Sequence, residues 1–290
     1  MNDYIIITDA NTDLTPQMVE ELEIAVMPMQ FSILGKDYLL YPDNREMDIK
    51  EFYDLLRKGN MAATAQLNPN DIIQAFTPYL EEGKDLIYIA FSSGLSGTYA
   101  SARMAKDELC RLFPKRKIII VDSLAASMGE GLLVWHAVRQ KRAGLDIEQL
   151  EQWVLDNRNH LCHWFTVDDL HHLKRGGRVS SATAVIGSAL GIKPVLHVED
   201  QGHLIPVKKV RGRRQSLDAL VDMMQQTAVD PKRQTVFISH GDALDDARYV
   251  EKRVRDAFKC KDIHINYIGP VIGTHSGPGT VALFFMGTHK

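Results

Sequence analysis

The chain has 290 residues, of which 45% are hydrophobic and 24% are charged, a composition typical of a soluble globular protein with one large or two ordinary domains. Its net charge of −3 argues against a general nucleic-acid binder, which would be basic overall. No apolar run approaches the roughly 18 residues that suggest a membrane span, and the start, MNDYIIITDANTD, lacks the basic region of a signal peptide. Its three cysteines are far apart with no CxxC pair, which suits a reducing compartment. We therefore expect a cytoplasmic protein without stable membrane insertion.

The first half of the chain alternates short apolar runs with helical patterns. Strands are predicted at residues 4–8 and 24–31 and in the segments DLIYIAFSS and KIIIVD. Helices are predicted to begin at Pro16, after the capping residue Asp48, and in the segments NPNDIIQAFTPYLEE, SGTYASARMAKDELCRLF and AASMGEGLLVWHAVRQKRAG. Strands that are apolar throughout and separated by helices indicate a parallel sheet covered on both faces. The pattern predicts a doubly wound α/β domain.

In the second half, strands come in pairs. The segments IKPVLHVED and HLIPVKKV are separated by Gln201 and Gly202, which suit a hairpin turn. Further strands are predicted at QTVFISH, IHINYIG and TVALFFMG, and helices at RRQSLDALVDMMQQTA and LDDARYVEKRVRDAF. This arrangement predicts a mixed sheet with helices. We place the boundary at His163, so that residues 1–163 form the N-terminal α/β domain and residues 164–290 the C-terminal one.

Three polar loops follow predicted strands of the first domain, at residues 9–13, 92–98 and 122–123, where open α/β sheets bind their ligands. In the middle loop, SSGLSGT, hydroxyls and glycines precede a helix whose free N–H groups favour an anion. Alternatively, Ser96 only caps that helix. In the first loop, Asp13 is expected to cap the helix beginning at Pro16 rather than to bind a metal with Asp9.

A serine hydrolase is the enzymatic alternative for the middle loop. Its GLSGT stretch approaches the nucleophile pattern G-x-S-x-G, but Thr98 stands where the strained turn needs a second glycine. A triad would also require a histidine and an acid within reach of Ser96.

Histidines occur in two close groups, His160 with His163 and His171 with His172. Alternating residues of a strand point to opposite faces, and neither group is joined by a second cluster of ligands. We therefore interpret both groups as structural and expect no metal or other cofactor.

Basic residues are concentrated in two segments of a chain that is acidic overall. Lys174, Arg175 and Arg178 flank a glycine pair, and VKKVRGRRQS contributes five more cations, among them Arg211. Such a run is either a solvated face or a surface that steers an anionic ligand or an acidic protein partner. In the sequence between these two basic segments, a helix is predicted at residues 180–190. Its small residues leave room for close packing or for a long, thin apolar ligand.

The segment IGPVIGTHSGPG places His275 among glycines and prolines, just before an apolar strand. A histidine in such a setting is a poor candidate for core filling. It is therefore a candidate ligand-binding residue.

Together these segments resemble the DegV family, the fatty-acid-binding subunits of bacterial fatty acid kinase. The resemblance extends over nearly the whole chain and rests on the order and spacing of ITDANTDL, ATAQLNP, SSGLSGTYASA, VDSLAASMGEG, VDDLHHLKRGGRVSSATAVIGSALGIKPVL with GHLIPVKKVR, and IGPVIGTHSGPG. It implies two α/β domains with a fatty acid in the cleft between them. It also implies a partner kinase that phosphorylates the bound carboxylate, so that the chain is a lipid-binding carrier and not itself an enzyme.

Carried over to this sequence, the resemblance implies that Thr64, Ser96 and His275 hold the carboxylate, with Ser93 close by. The chain departs from the family pattern at positions 10 and 65, where alanine replaces the usual serine, and at position 67, where leucine replaces proline.

The resemblance further implies that Arg175, Arg178 and Arg211 face the kinase partner. Two other functions stay open at this point. One is hydrolysis of esters or thioesters through Ser96 and His275, and the other is binding of a different small acid in the same cleft.

Overall fold

Of the three sheets formed by the described residues, the first is parallel and buried. A computed structural model describes residues 3–179 and 191–290, so the helix predicted at residues 180–190 lies outside the described residues. The strands of this sheet are β1 (Tyr4–Asp9), β2 (Ala25–Met27), β6 (Asp85–Ala90) and β7 (Ile118–Asp122). They lie in the order β2-β1-β6-β7, and all neighbours are parallel.

Helices cover both faces of this sheet because its strands are apolar on both sides. Along β6, Leu86 and Tyr88 pack into one core, whereas Ile87 and Ile89 pack into another. The helices of the first half are α1 (Pro16–Leu22), α2 (Ile49–Arg57), α3 (Pro69–Glu81), α4 (Thr98–Leu112), α5 (Met128–Arg142) and α6 (Ile147–Asn157). The predicted doubly wound α/β arrangement is confirmed.

The two predicted helix caps have different outcomes. Asp48 caps α2 as expected, because its Oδ1 accepts hydrogen bonds from the amides of Lys50 and Glu51 at 2.9 and 3.1 Å. The cap predicted for α1 is wrong. Thr15 caps that helix by accepting the Met18 amide at 3.2 Å, while the backbone of Asp13 is left-handed, with φ of 51°, and its carboxylate is bonded elsewhere.

The strand predicted at residues 24–31 is in fact two strands in different sheets. Pro28 separates β2 from β3 (Met29–Ile33), because a proline has no N–H to donate to a ladder. Strand β3 lies between β4 (Lys36–Leu40) and β5 (Ala62–Ala65) in a small antiparallel sheet. The sequence patterns did not predict β4 or β5.

The third sheet has six strands and is mixed, as predicted. Its strands are β8 (Leu161–Thr166), β9 (Ile192–Val198), β10 (Leu204–Arg211), β11 (Thr235–His240), β12 (Asp262–Tyr267) and β13 (Val281–Met286). They lie in the order β10-β9-β8-β13-β11-β12, and only β11 and β12 are parallel neighbours. The β9–β10 hairpin predicted around Gln201 and Gly202 is confirmed. The domain boundary at residue 163 stays a prediction, and it falls inside β8.

The two faces of the six-stranded sheet have different partners. On β13, Leu283 and Phe285 pack with α8 (Arg213–Thr227) and α9 (Leu244–Phe258), whereas Ala282 and Phe284 belong to the core shared with α5. We call the face that bears Ala282 and Phe284 the inner face. The short helices α7 (Leu170–Arg175) and α10 (Pro270–Ser276) pack against each other, and α10 also contacts β3 and β5 of the small sheet. Among the described helices, none has the length and apolar character needed to cross a membrane.

Candidate functional site

A cavity of about 320 Å³ lies where the carboxyl edge of the parallel sheet meets the inner face of the six-stranded sheet. Its volume is within the range of about 300–1,000 Å³ that is usual for small-molecule sites. Much of its lining is apolar and comes from both halves of the chain, including Met29, Phe91, Leu95, Phe165, Ile272 and Phe284. A ligand with a long apolar portion therefore suits this cavity.

Thr64 and His275 form one polar end of the lining. Thr64 Oγ1 lies 2.9 Å from His275 Nε2, and this hydrogen bond joins β5 to the last turn of α10. Gly176 packs against the opposite ring edge so closely that a Cβ there would overlap His275 Nδ1. These contacts hold the imidazole in one orientation.

His275 is neutral at pH 7. Burial, and then the positive charge of Arg178, lower its pKa to about 4. A neutral imidazole carries one N–H donor. Nδ1 is buried and has no hydrogen-bond partner among the described residues. The ring thus brings hydrogen-bonding capacity to the cavity.

Ser96 lines the same cavity and lies in the loop between β6 and α4. Its Oγ accepts the amide of Thr98 at 3.2 Å and lies 3.0 Å from Thr98 Oγ1. The hydroxyl therefore satisfies the first amide of α4, but the N-cap residue is Gly97 and has no side-chain cap, so Ser96 is not the helix cap considered from sequence. The structure brings Thr64, Ser96 and His275 to one cavity.

Ser93 is placed differently. Its side chain is exposed, its amide donates to Asp122 Oδ1 at 3.1 Å, and it does not belong to the described lining of the cavity. The structure therefore does not bring Ser93 together with Thr64 and His275.

The predicted docking arginines divide between the mouth of the cavity and the surface. Arg178 lines the cavity, and its guanidinium donates to the carbonyls of Leu95 at 3.2 Å and Gly176 at 2.5 Å. Arg175 and Arg211 are exposed. Arg175 lines a smaller depression of about 70 Å³, which His275 also borders. Positive charge thus lies beside the polar end of the cavity.

Sequence reasoning missed a second set of polar groups in the cavity. Asn11, Ser127, His163 and Ser239 all line it, and Ser127 Oγ lies 2.9 Å from Ser239 Oγ. The sequence contained only two signals for this set of polar groups. They were the polar loop after β1, which contains Asn11, and the pair His160 and His163. The interpretation of His163 as simply structural did not anticipate its place in the cavity lining.

Asp9, the last residue of β1, is buried and bonded within the protein. Asp9 accepts hydrogen bonds from Tyr88 Oη at 2.7 Å and from the amides of Phe91 and Asn11 at 3.2 and 3.1 Å. In residues 3–179 and 191–290, no group of three or more His, Cys, Asp or Glu side chains is arranged to hold a metal ion.

The geometry does not support the serine hydrolase alternative. Ser96 is hydrogen-bonded to Thr98, and His275 Nε2 is engaged by Thr64. In the described part of the chain, no hydrogen bond joins Ser96 to a histidine. The base that a serine nucleophile requires is therefore not at hydrogen-bonding distance.

The fold and the cavity define a three-sheet α/β protein with a largely apolar site whose lining also contains two sets of polar side chains. Residues 4–288 match the model of the family described as "Uncharacterised protein, DegV family". A DegV domain-containing protein of Clostridium perfringens is 44% identical over 290 residues, covering 100% of this chain and 99% of the relative. The chain belongs to the DegV family, which confirms the resemblance seen in its motifs.

Solved structures of similar proteins carry descriptions of lipid binding. A DegV family protein of Thermus thermophilus, described by its fatty acid binding, has a TM-score of 0.88 and 28% identity, covering 98% of this chain and 99% of that one. A DegV lipid-binding protein of Thermotoga maritima has a TM-score of 0.87 and 27% identity, with 99% of both chains covered. DegV of Bacillus subtilis, described as a fatty acid binding protein, has a TM-score of 0.84 and 25% identity, covering 98% and 99%.

Proposed function

We propose that this chain binds one long-chain fatty acid in the cavity, with its carboxylate held by Thr64, Ser96 and His275. The observation that carries the proposal is the convergence of these three polar side chains on one largely apolar cavity. The fatty acids described for the similar proteins of Thermus thermophilus and Bacillus subtilis support the ligand class.

The two parts of a fatty acid match the two parts of the lining. Burial of the tail contributes about 0.8 kcal/mol per CH₂, opposed by the ordering of a flexible chain. Burial of the charged carboxylate costs several kcal/mol unless hydrogen bonds replace its hydration. Two hydroxyls and an imidazole offset that cost, and the guanidinium of Arg178 at the mouth favours the same charge.

Protein purified from a bacterial host is expected to release close to one equivalent of free fatty acid per chain after denaturation and organic extraction. The measurement is mass spectrometry of the extract against a blank column fraction. If no fatty acid is recovered, and delipidated protein also fails to bind added stearic acid by calorimetry, the proposed ligand class is wrong.

We further propose that the bound acid is a substrate for a separate kinase and that this chain is the carrier, not the catalyst. Thr64, Ser96 and His275 hold an oxygen without attacking it, which leaves the carboxylate available to a phosphoryl donor. The sequence contains no glycine-rich Walker loop for ATP. Such a carrier would act in the cytoplasm, where ATP is available. Arg175 and Arg178 give the surface beside the cavity a positive charge for an acidic partner, and Arg211 is a further exposed cation for the same role.

Arg175→Glu, which reverses the charge at this position, is expected to reduce phosphorylation of the bound acid by at least tenfold. Charges at the edge of an interface control how fast two proteins associate in the correct orientation. Labelled fatty acid on the protein, ATP and hydroxylamine are added to a soluble extract of the source organism, and acyl hydroxamate is measured. Lys232→Glu is the matched control. Lys232 is an exposed cation just before the beginning of β11, whereas the cavity residue Ser239 lies near the end of that strand. Equal hydroxamate from both variants would contradict the docking role of Arg175.

A further inference from the structure

The inner face of the six-stranded sheet forms an apolar floor to the cavity, with one histidine in it. Phe165, Ala282 and Phe284 belong to this floor. His163 lies directly opposite Phe284 in the pairing of β8 with β13, and Phe237 of β11 is the next residue across. The imidazole of His163 therefore lies in a row whose next two members are phenylalanines and whose last member, on β12, is the exposed His264.

His163 is buried, and its ring has only a weak interaction with the backbone of Leu161. Its residue exposure is 2%, and neither Nδ1 nor Nε2 has a partner of ordinary geometry within residues 3–179 and 191–290. The ring meets Phe284 edge-on, with centroids 5.3 Å apart. Gly129 at the beginning of α5 leaves space for it, because a Cβ there would overlap the ring. A buried polar group of this kind is costly unless something else bonds to it.

The chemistry of the missing partner follows from the state of the ring. Burial lowers the pKa of His163 well below its ordinary value, so the imidazole is neutral and has one N–H donor and one acceptor nitrogen. A ligand hydroxyl both donates and accepts, whereas a CH₂ does neither. Asn11 Oδ1 and Ser276 Oγ, in the same lining, also lack partners among the described residues.

The position of His163 indicates where on a ligand that hydroxyl would be. The chain leaves His275 on α10, passes through residues 277–280 and enters β13. Ala282 is the first residue of β13 in the cavity lining, and Phe284, opposite His163, lies two residues further along the same face of the strand. Thr280 lines the cavity and bonds the Ser276 carbonyl at 3.0 Å, and Phe284 follows it by four residues, or about 13 Å of extended chain, so a carboxylate held at His275 places His163 beside the middle of the acyl chain.

We propose that the preferred ligand of this chain is a long-chain fatty acid with a mid-chain hydroxyl group that hydrogen-bonds His163. This inference rests on the proposed function, because it takes the carboxylate to be held by Thr64, Ser96 and His275. It adds a second polar contact and narrows the ligand from fatty acids in general to hydroxy fatty acids. A site built to bond a substrate hydroxyl discriminates against the analogue that lacks it.

The test compares dissociation constants of delipidated protein for stearic acid and for its 3-, 10- and 12-hydroxy derivatives, by competition with a fluorescent fatty acid. We expect the 10- or 12-hydroxy acid to bind at least about tenfold more tightly than stearic acid, and the 3-hydroxy acid to show no such gain. In His163→Phe the preference is expected to disappear, while stearic acid binds more tightly because no polar nitrogen faces its chain. His163→Gln, which keeps a donor and an acceptor, is expected to retain part of the preference.

Ser216→Ala is the matched control, since Ser216 is buried in α8, bonds the Arg213 carbonyl and lies outside the described cavity lining. It should keep the full preference. The proposal is overturned if no mid-chain hydroxy acid binds more tightly than stearic acid, or if the preference survives in His163→Phe. If stearic acid and every hydroxy acid fail to bind, the fatty-acid function itself is wrong and this inference is lost with it.

Discussion

Replacement of His275 by alanine is expected to weaken binding of stearic acid by about 10- to 100-fold. The imidazole Nε2 lies beside the Thr64 hydroxyl in the cavity lining, so loss of the ring removes the nitrogen that would share the carboxylate with Thr64 and leaves the Thr64 hydroxyl without its partner. Hydrogen bonds to charged groups contribute about 1.5–3 kcal/mol, which corresponds to that range of affinity. Calorimetry on delipidated protein measures the change.

The methyl ester of the same acid shows whether the loss concerns the headgroup. It has the same tail but no carboxylate charge, so wild-type preference for the acid over the ester should largely collapse in His275→Ala. Thr64→Val is expected to act in the same direction. Thr77→Val is the matched control, because Thr77 lies in α3 and bonds the Ile73 carbonyl at 2.7 Å, away from the described cavity lining. An unchanged preference for the acid in His275→Ala would place the carboxylate elsewhere.

Periodicity predicted most of the fold because burial on both faces of a strand leaves a continuous apolar run. The strands β6 and β7 and the hairpin of β9 and β10 follow directly from such runs and from the glycine at the turn. Strands β4 and β5 were missed. Their segments are short and only partly buried, so they lack the pattern from which a strand is recognised.

The candidate site was only partly predictable, for a physical reason. Thr64, Ser96 and His275 lie far apart in sequence, and it was the family resemblance that assigned them together before the structure placed them in one cavity. No local pattern reveals that a strand histidine such as His163 faces a cavity, because that depends on the pairing of β8 with β13. The same limit explains Asp13, whose partners are more than 100 residues distant in sequence.

Asp13 has tertiary bonds in place of the helix cap expected from sequence. Its Oδ2 accepts from Ser127 Oγ at 2.5 Å and its Oδ1 from the Gly269 amide at 2.9 Å. These two bonds tie the loop after β1 to the beginning of α5 and to the segment that precedes α10. The carboxyl is fully buried, and this burial raises its pKa from 3.8 to about 7, despite the two bonds that favour the charged form.

Substitution of Asp13 by asparagine is therefore expected to change how stability depends on pH. A raised carboxyl pKa means that the folded state binds a proton more tightly than the unfolded state, so stability from this group falls as pH rises from 3.8 to about 7. Between pH 5 and the folded-state pKa of about 7, this group therefore loses about 3 kcal/mol of its contribution to the free energy of unfolding. Relative to wild type, Asp13→Asn should gain about that much free energy of unfolding between pH 5 and pH 8, measured by urea denaturation at both values.

The comparison with wild type is needed because buried histidines change the free energy of unfolding with pH in the opposite direction to Asp13. Burial lowers the pKa of His136 and His240 to about 4, so their contribution to stability rises with pH between about 4 and 6.5. They are unchanged in Asp13→Asn and cancel in the difference. Asp43→Asn is the control, since Arg45 lowers the pKa of this exposed carboxyl, which keeps it ionised throughout the range. Parallel pH profiles for wild type and Asp13→Asn would mean that Asp13 is ionised in the folded protein at pH 5, and that its bonds to Ser127 and Gly269 outweigh the cost of burying its charge.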